Sequence, residues 1–187
     1  MYSLRLIIGI SGASGAAYSE RLLRELKNIK DVETYLIITK TAEKIIEAEG
    51  LIINDIVALA NHYYDSEDLM SPITSGSFKV DGMVVIPCSM KTLAGISNGY
   101  SDNLLLRAAD VIIKEGKRLI LVPRETPLNI IHLENMLKLA RIGVTILAAM
   151  PAFYYKPKTA DDLVAFIVGK VLELLERKHC LYTKWKE

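Results

Sequence analysis

The residues best suited to chemistry in this chain fall at five points, each directly after an apolar run. Gly12-Ala13-Ser14-Gly15 follows Leu4–Ile8, and Thr39-Lys40 follows Thr34–Ile38. Pro87-Cys88-Ser89-Met90-Lys91-Thr92 follows Met83–Ile86, and Pro123-Arg124-Glu125-Thr126-Pro127 follows Leu119–Val122. Pro151-Ala152-Phe153-Tyr154-Tyr155-Lys156-Pro157 follows Thr145–Ala149. If the runs are parallel strands, these hydroxyls, cations, carboxylate and rings converge on one edge of a sheet. That is the edge where open α/β sheets bind ligands. The opposite edge reads as ordinary turns.

The first segment carries glycines at 9, 12 and 15 and runs straight into a helical pattern. Glycines at such a turn let backbone N–H groups approach an anion at the helix N-terminus. A phosphate is the natural occupant, with the Ser14 hydroxyl as a further donor. Small residues serve close strand–helix packing equally well, so both readings stand at this point. The spacing G-x-x-G-x-x-G is not the dinucleotide G-x-G-x-x-G, and Thr39-Lys40 stands where an acid would hold an adenosine ribose. No G-x-x-x-x-G-K-[ST] occurs. A mononucleotide such as FMN suits the loop better than NAD or ATP.

Nucleophile and metal chemistry have little support. Gly9-Ile10-Ser11-Gly12-Ala13 misses the G-x-S-x-G elbow at its last position. His62, His132 and His179 are scattered, and His132, placed mid-helix, reads as a packed or surface residue. No His, Cys and Asp spacing matches a metal site. Cys88 reads as a small buried residue. Two carboxylates are better candidates. Glu49 precedes Gly50 at a helix C-terminus, where the dipole opposes a negative charge, an arrangement suited to acid–base work. A solvated surface glutamate is its plainer alternative. Glu125 stands beside Arg124 as an acid or as half of a structural ion pair. Lys170 shares an apolar helix stripe with Leu163, Ile167 and Leu174, and either reaches a buried anion or snorkels to solvent.

The elements that must position these groups alternate. Helical patterns occupy 15–28, 41–49, 89–97, 102–115, 127–142 and 160–176, between the apolar runs. Such alternation predicts a parallel sheet covered on both faces. Thr126-Pro127 predicts an N-cap with proline at the first helical position, and Gly143 ends that helix. Thr159, followed by Asp161 and Asp162, starts the last one. The stretch from Asn61 to Gly82 is the longest irregular segment and is expected to be a flexible loop. With 187 residues, 51% of them hydrophobic, one domain is expected. A net charge of +1 offers no field for nucleic acid. No apolar run is long enough to span a bilayer, and the first residues lack a signal-peptide pattern. Two cysteines make no disulfide framework, so a cytoplasmic location is expected. Absence of glutamine beside many Ile, Leu, Lys and Glu is a composition common in thermophile proteins.

Together the segments resemble the flavin prenyltransferase family, long described as polyprenyl-hydroxybenzoate carboxy-lyase. The residues that carry the likeness are GISGASGAAY at 9–18, ITSGSF at 73–78, PCSMKTLAGI at 87–96, LLLRAADVIIKE at 104–115, LVPRETPL at 121–128, HLENMLKLA at 132–140 and PAFYYKP at 151–157. They run from about residue 4 to 176, and their ordered combination is specific where no single one is. The resemblance implies a Rossmann-like (flavodoxin-like) α/β open parallel sheet with helices on both faces, as a single domain over 1–187. It implies a homo-oligomer, commonly a dodecamer, with the tail 177–187 against a neighbouring subunit. FMN would be held by Gly12, Ala13, Ser14, Thr39, the turn Ser89, Met90, Lys91 and Thr92, and Arg124.

The second substrate implied is dimethylallyl phosphate, its phosphate held by Lys114, Arg124, Tyr154 and Lys170, some from neighbouring chains, with Arg107 lining the region. The dimethylallyl group would join N5 and C6 of reduced FMN without a metal, giving prenylated FMN for a separate decarboxylase. Ser14, Glu49 and Glu125 match residues assigned to proton handling, and Trp185 matches a tryptophan that closes the site. The family often has Ser at the position of Thr39 and Arg at that of Lys170; both replacements keep the hydroxyl or the charge. One rival is a flavin-dependent decarboxylase of cysteine-containing substrates, but Tyr18 and Lys91 stand where that group has His and Asn. A non-catalytic FMN carrier is another, which would not need Arg124, Glu125, Tyr154 and Lys170 to converge. Direct decarboxylation of a hydroxybenzoate is a third, and no group here suits it without a modified cofactor.

Overall fold

A computed structural model describes residues 3–186; Met1, Tyr2 and Glu187 of the expected 1–187 unit lie outside the described residues. Six parallel strands form one sheet: β1 (Leu4–Ile10), β2 (Val32–Ile38), β3 (His62–Asp65), β4 (Gly82–Cys88), β5 (Arg118–Pro123) and β6 (Thr145–Ile146). Their order is β3-β2-β1-β4-β5-β6. The chain winds outward in one direction to β3, then returns to place β4 beside β1. That reversal makes a crevice at the carboxyl ends of β1 and β4, as in doubly wound sheets. The Rossmann-like open sheet implied by the sequence is therefore the one found.

Side chains alternate along each strand, so one sheet feeds two cores. Leu6, Ile8, Ile10, Leu36, Ile38, Val84 and Ile86 face α1 (Ala16–Lys27), α2 (Lys40–Ala48), α3 (Ile53–Val57) and α7 (Ala160–Leu174). Ile7, Tyr35, Ile37, Met83, Val85 and Leu121 face α4 (Met90–Ser97), α5 (Leu104–Lys114) and, through Leu139, α6 (Ile130–Arg141). Continuous burial of β4 follows from being covered on both sides.

Three expectations change. The 61–82 segment holds the edge strand β3 and a short 3₁₀ turn, Pro72–Thr74, and α3 precedes it. His62-Tyr63-Tyr64-Asp65 is too polar to register as a buried run, yet it pairs with β2 and stacks His62 on Tyr35 at 4.7 Å. The helix expected at 127–142 begins at Ile130. Thr126 does not cap it, because its hydroxyl donates to the Glu125 carbonyl oxygen at 2.9 Å. Asn129 is the cap, accepting from His132 N at 2.9 Å, while His132 Nδ1 accepts from Asn129 N. His132 is thus in the first turn of α6, not mid-helix. The last strand is two residues, shorter than the expected 145–149.

Candidate active site

The carboxyl edge of the sheet is stitched by short polar links. The buried Ser11 hydroxyl donates to Pro87 O at 3.1 Å and accepts from Ser89 N at 2.8 Å, tying the end of β1 to that of β4. Thr39 N donates to Ile10 O at 3.0 Å, and Arg124 N to Cys88 O at 3.3 Å. Four strand ends are therefore held in one place, and each launches a segment singled out by the sequence.

Three helix N-termini meet there. Thr39 Oγ1 accepts from Ala42 N at 3.3 Å, Ser89 Oγ from Thr92 N at 3.2 Å, and Asn103 Oδ1 from Leu106 N at 3.0 Å. Each cap satisfies one donor and leaves the positive end of its helix, α2, α4 or α5, toward the crevice. A cleft of about 320 Å³ between them is lined by Gly12, Thr39, Thr41, Ser89, Met90, Lys91, Thr92, Asn103, Leu106 and Glu125. Such an environment suits an anionic, partly apolar ligand of mononucleotide size. Ser14 and Lys91 are exposed and Ala13 is buried. Thr41, Asn103 and Leu106 were not singled out from sequence. The signal was there in Asn103, an Asn directly before an apolar helical pattern.

The glycines turn out to have internal reasons. A Cβ at Gly12 would lie 2.6 Å from Thr41 Cγ2, and Gly15 has φ +114°, a conformation that disfavours any side chain. Ala13 N is committed to Ser11 O at 2.7 Å. Gly15 N and Ala16 N donate to Glu49 Oε1 and Oε2 at 2.7 and 2.8 Å. Close packing thus accounts for Gly12, while Gly15 and Ala16 bind a carboxylate belonging to the chain itself. Glu49 does stand at the C-terminal cap of α2 as expected, but its side chain addresses the N-terminus of α1.

Of the other expected site residues, Glu125 lines the cleft, and the rest find the following partners within the chain. Arg124 is exposed at the end of β5 and acts electrostatically on Tyr18, whose hydroxyl burial pushes up and Arg124 pulls back. Glu125 Oε1 accepts from Thr126 N at 3.0 Å rather than from Arg124. Tyr154 stacks edge-on against Trp185, with centroids 5.1 Å apart, and against Phe166 at 6.2 Å. Lys170 bonds Glu173 at 2.5 Å on α7. Arg107 pairs with Asp110 at 2.7 Å on α5. Lys114 pairs with Glu115 at 2.5 Å, at the far end of α5 from Asn103. A helix of that length puts roughly 15 Å between them.

The opposite edge is the row of turns expected, those at 115–116 and 142–143 among them. A larger concavity of about 790 Å³ lies there, lined by residues such as Leu4, Asp81, Gly116, Arg118, Gly143 and Arg177. It receives the C-terminal ends of α5, α6 and α7, whose dipoles disfavour an anion. The smaller cleft has the chemistry.

Comparison with known proteins decides the family. A family model described as Flavoprotein matches residues 1–172. The chain is 48% identical over 183 residues to the flavin prenyltransferase UbiX of Methanocaldococcus jannaschii, covering 97% of this chain and 98% of that relative. The chain belongs to the flavin prenyltransferase family. A dodecameric FMN-dependent UbiX-like decarboxylase from Escherichia coli O157:H7 superposes on this flavin prenyltransferase with TM-score 0.96 and 49% identity, over 98% of this chain and all of the other. The structure of AnUbiX (PadA1) in complex with FMN and dimethylallyl pyrophosphate matches with TM-score 0.95 and 41% identity, over 99% of this chain and 98% of that one. Among the described residues of this family member, no group of three or more His, Cys, Asp or Glu is placed to hold a metal, and no helix is long and apolar enough to cross a membrane.

Proposed function

We propose that this chain joins the dimethylallyl group of dimethylallyl phosphate to N5 and C6 of reduced FMN, in a cytoplasmic homo-oligomer, and hands prenylated FMN to a separate decarboxylase. The observation that carries the reading is the cleft where the N-termini of α2, α4 and α5 converge beside Gly12, Thr39, Ser89 and Glu125. Reduced flavin, when bound there, supplies the nucleophilic ring nitrogen. The family assignment and the FMN-bearing relative support the same ligand.

The chain's own residues supply binding and charge. Thr39 and the Ser89–Thr92 turn hold the flavin's anionic end at the helix N-termini, with Gly12, Ala13, Ser14 and Arg124 around it. Arg124, Lys114, Lys170 and the Tyr154 hydroxyl neutralise the phosphate as its bond to the allylic carbon breaks. Arg107 adds charge nearby. Lys114, at the far end of α5, lies apart from the cleft of its own chain, so a site that uses it draws on a neighbouring protomer. A dodecameric relative supports such an assembly. Glu49, Ser14 and Glu125 handle the protons: Glu49 takes one from the flavin edge and Glu125 gives one to the departing phosphate.

The test is anaerobic incubation with reduced FMN and dimethylallyl phosphate, followed by mass spectrometry of the released flavin. A gain of one C5H8 unit is expected. Unchanged flavin with both the phosphate and the diphosphate, while FMN still binds, would return the chain to the carrier or decarboxylase readings.

A further inference from the structure

Glu173 bonds a lysine of its own helix with one carboxylate oxygen and a residue of the C-terminal segment with the other. On one side its Oε2 accepts from Lys170 Nζ at 2.5 Å, one turn back on α7. On the other its Oε1 accepts from the Tyr182 hydroxyl at 2.7 Å. His179 Nε2 lies 3.5 Å from the same oxygen, and the His179 side chain is only 4% exposed. Tyr182 and His179 belong to the segment after α7, so one carboxylate ties the helix to the chain's C-terminal tail.

The helix surface is shaped for that tail. A Cβ on Gly169 would lie 2.5 Å from Tyr182 Cε1 and 2.7 Å from His179 Cε1. The Tyr182 ring then rests on Phe166 at 4.6 Å and Tyr155 at 5.9 Å. Three residues on, Trp185 meets Tyr154 edge-on at 5.1 Å. The contact at Gly169 thus lies three residues before Trp185 on the same tail.

We propose that Glu173 is a positioning residue that couples Lys170 to the tail carrying Trp185, so that phosphate arriving at Lys170 is felt at Trp185. This rests on the reading that Lys170 and Tyr154 take the substrate's phosphate. The ammonium of Lys170 has three donors, and a phosphate dianion competes with Glu173 for them. As Lys170 turns to phosphate, the Glu173 carboxylate loses its cation and leans on Tyr182 and His179. The tail is thereby held more firmly while phosphate is present, and is loosened when phosphate leaves.

Trp185 is the single tryptophan of the chain, so its emission reports the tail directly. The experiment uses the full chain with FMN bound. Inorganic phosphate is titrated while Trp185 emission and acrylamide quenching are followed, in the unaltered protein and in Glu173→Gln and Tyr182→Phe. A saturable phosphate response is expected in the unaltered protein. It is lost in Glu173→Gln, and in Tyr182→Phe, which keeps the ring, the phosphate concentration needed rises about ten-fold, the scale of one charge-assisted hydrogen bond. KM for dimethylallyl phosphate rises in both variants with FMN affinity unchanged. No phosphate response in the unaltered protein, or the same response in Tyr182→Phe, overturns the coupling. Failure of the functional reading is scored separately: no flavin gains mass with dimethylallyl phosphate, whatever the emission does, whereas flavin that gains mass with no phosphate response at Trp185 overturns the coupling alone.

Discussion

Glu49 and Gly15 meet across 34 positions of sequence: the carboxylate that ends α2 accepts the N–H of Gly15 at 2.7 Å and that of Ala16 at 2.8 Å. One side chain thus caps the helix that follows the glycine turn and stands at the carboxyl edge of the sheet. Glu49→Gln keeps the shape but replaces one acceptor oxygen by a donor facing an N–H. Loss of a cap of this kind costs about 1 kcal/mol, read as a lower melting temperature. If Glu49 is also the base, turnover falls far more than stability while FMN still binds. Full turnover with the lowered melting temperature would leave Glu49 as a cap alone.

Gly12→Ala tests the floor of the cleft. The new methyl meets Thr41 2.6 Å away and must push it, and Thr41 lines the cleft. Overpacking of this kind costs roughly 1–3 kcal/mol. Weaker FMN binding by flavin fluorescence titration is expected together with a lower melting temperature.

Separation of Lys114 from the cleft of its own chain predicts complementation. Lys114→Ala and Ser14→Ala are each expected to be nearly inactive. Unfolded together and refolded as mixed oligomers, they regain about a quarter of full activity, the share of sites that draw one intact group from each of two chains. Mixtures no more active than the separate variants would place both residues in a site made by one chain.

Acid destabilisation follows from three carboxylates held below their ordinary range. The hydrogen bond from His62, aided by Tyr35 and Arg5 against partial burial, lowers Glu33. The N–H groups of Lys158 and Thr159 lower Asp162, which completes the capping box of α7. Burial pushes Glu173 up, but the bonds from Lys170 and Tyr182 outweigh it. A carboxyl with a lower value when folded stabilises the protein above its unfolded value and loses that contribution as pH falls through the folded one. The melting temperature is therefore expected to hold from pH 7 to about 5 and to fall below that. Glu33→Gln makes the fall shallower. A melting temperature flat down to about pH 3 would contradict the assignment.

Cys88 is fully buried, and burial pushes its thiol far above the ordinary range, whereas Cys180 is exposed. A Cys180→Ser variant is expected to show no reaction with a thiol-specific disulfide reagent at pH 8 while folded, and one equivalent once denatured. Reaction of the folded variant would mean that the end of β4 opens.

Period and punctuation carried most of the architecture. Apolar runs that suit two-faced burial, alternating with helical stripes, imply a parallel sheet, because burial on both faces is a local demand written in each strand. The same logic placed Gly12, Thr39, Ser89 and Glu125 on one edge, since every strand of a parallel sheet ends there. Edge strand β3 escaped because a strand with one neighbour needs no apolar run, and its partner Tyr35 is recognised only in space. The start of α6 escaped because Thr126 and Asn129 are both good caps, and the choice turns on where the Thr126 hydroxyl finds its acceptor. Long-range pairing decided the rest. Nothing near Glu49 announces that it will bind Gly15, and nothing near Gly169 that it makes room for Tyr182. Such contacts join residues 34 and 13 positions apart, and a chain reveals them only when folding brings those residues together.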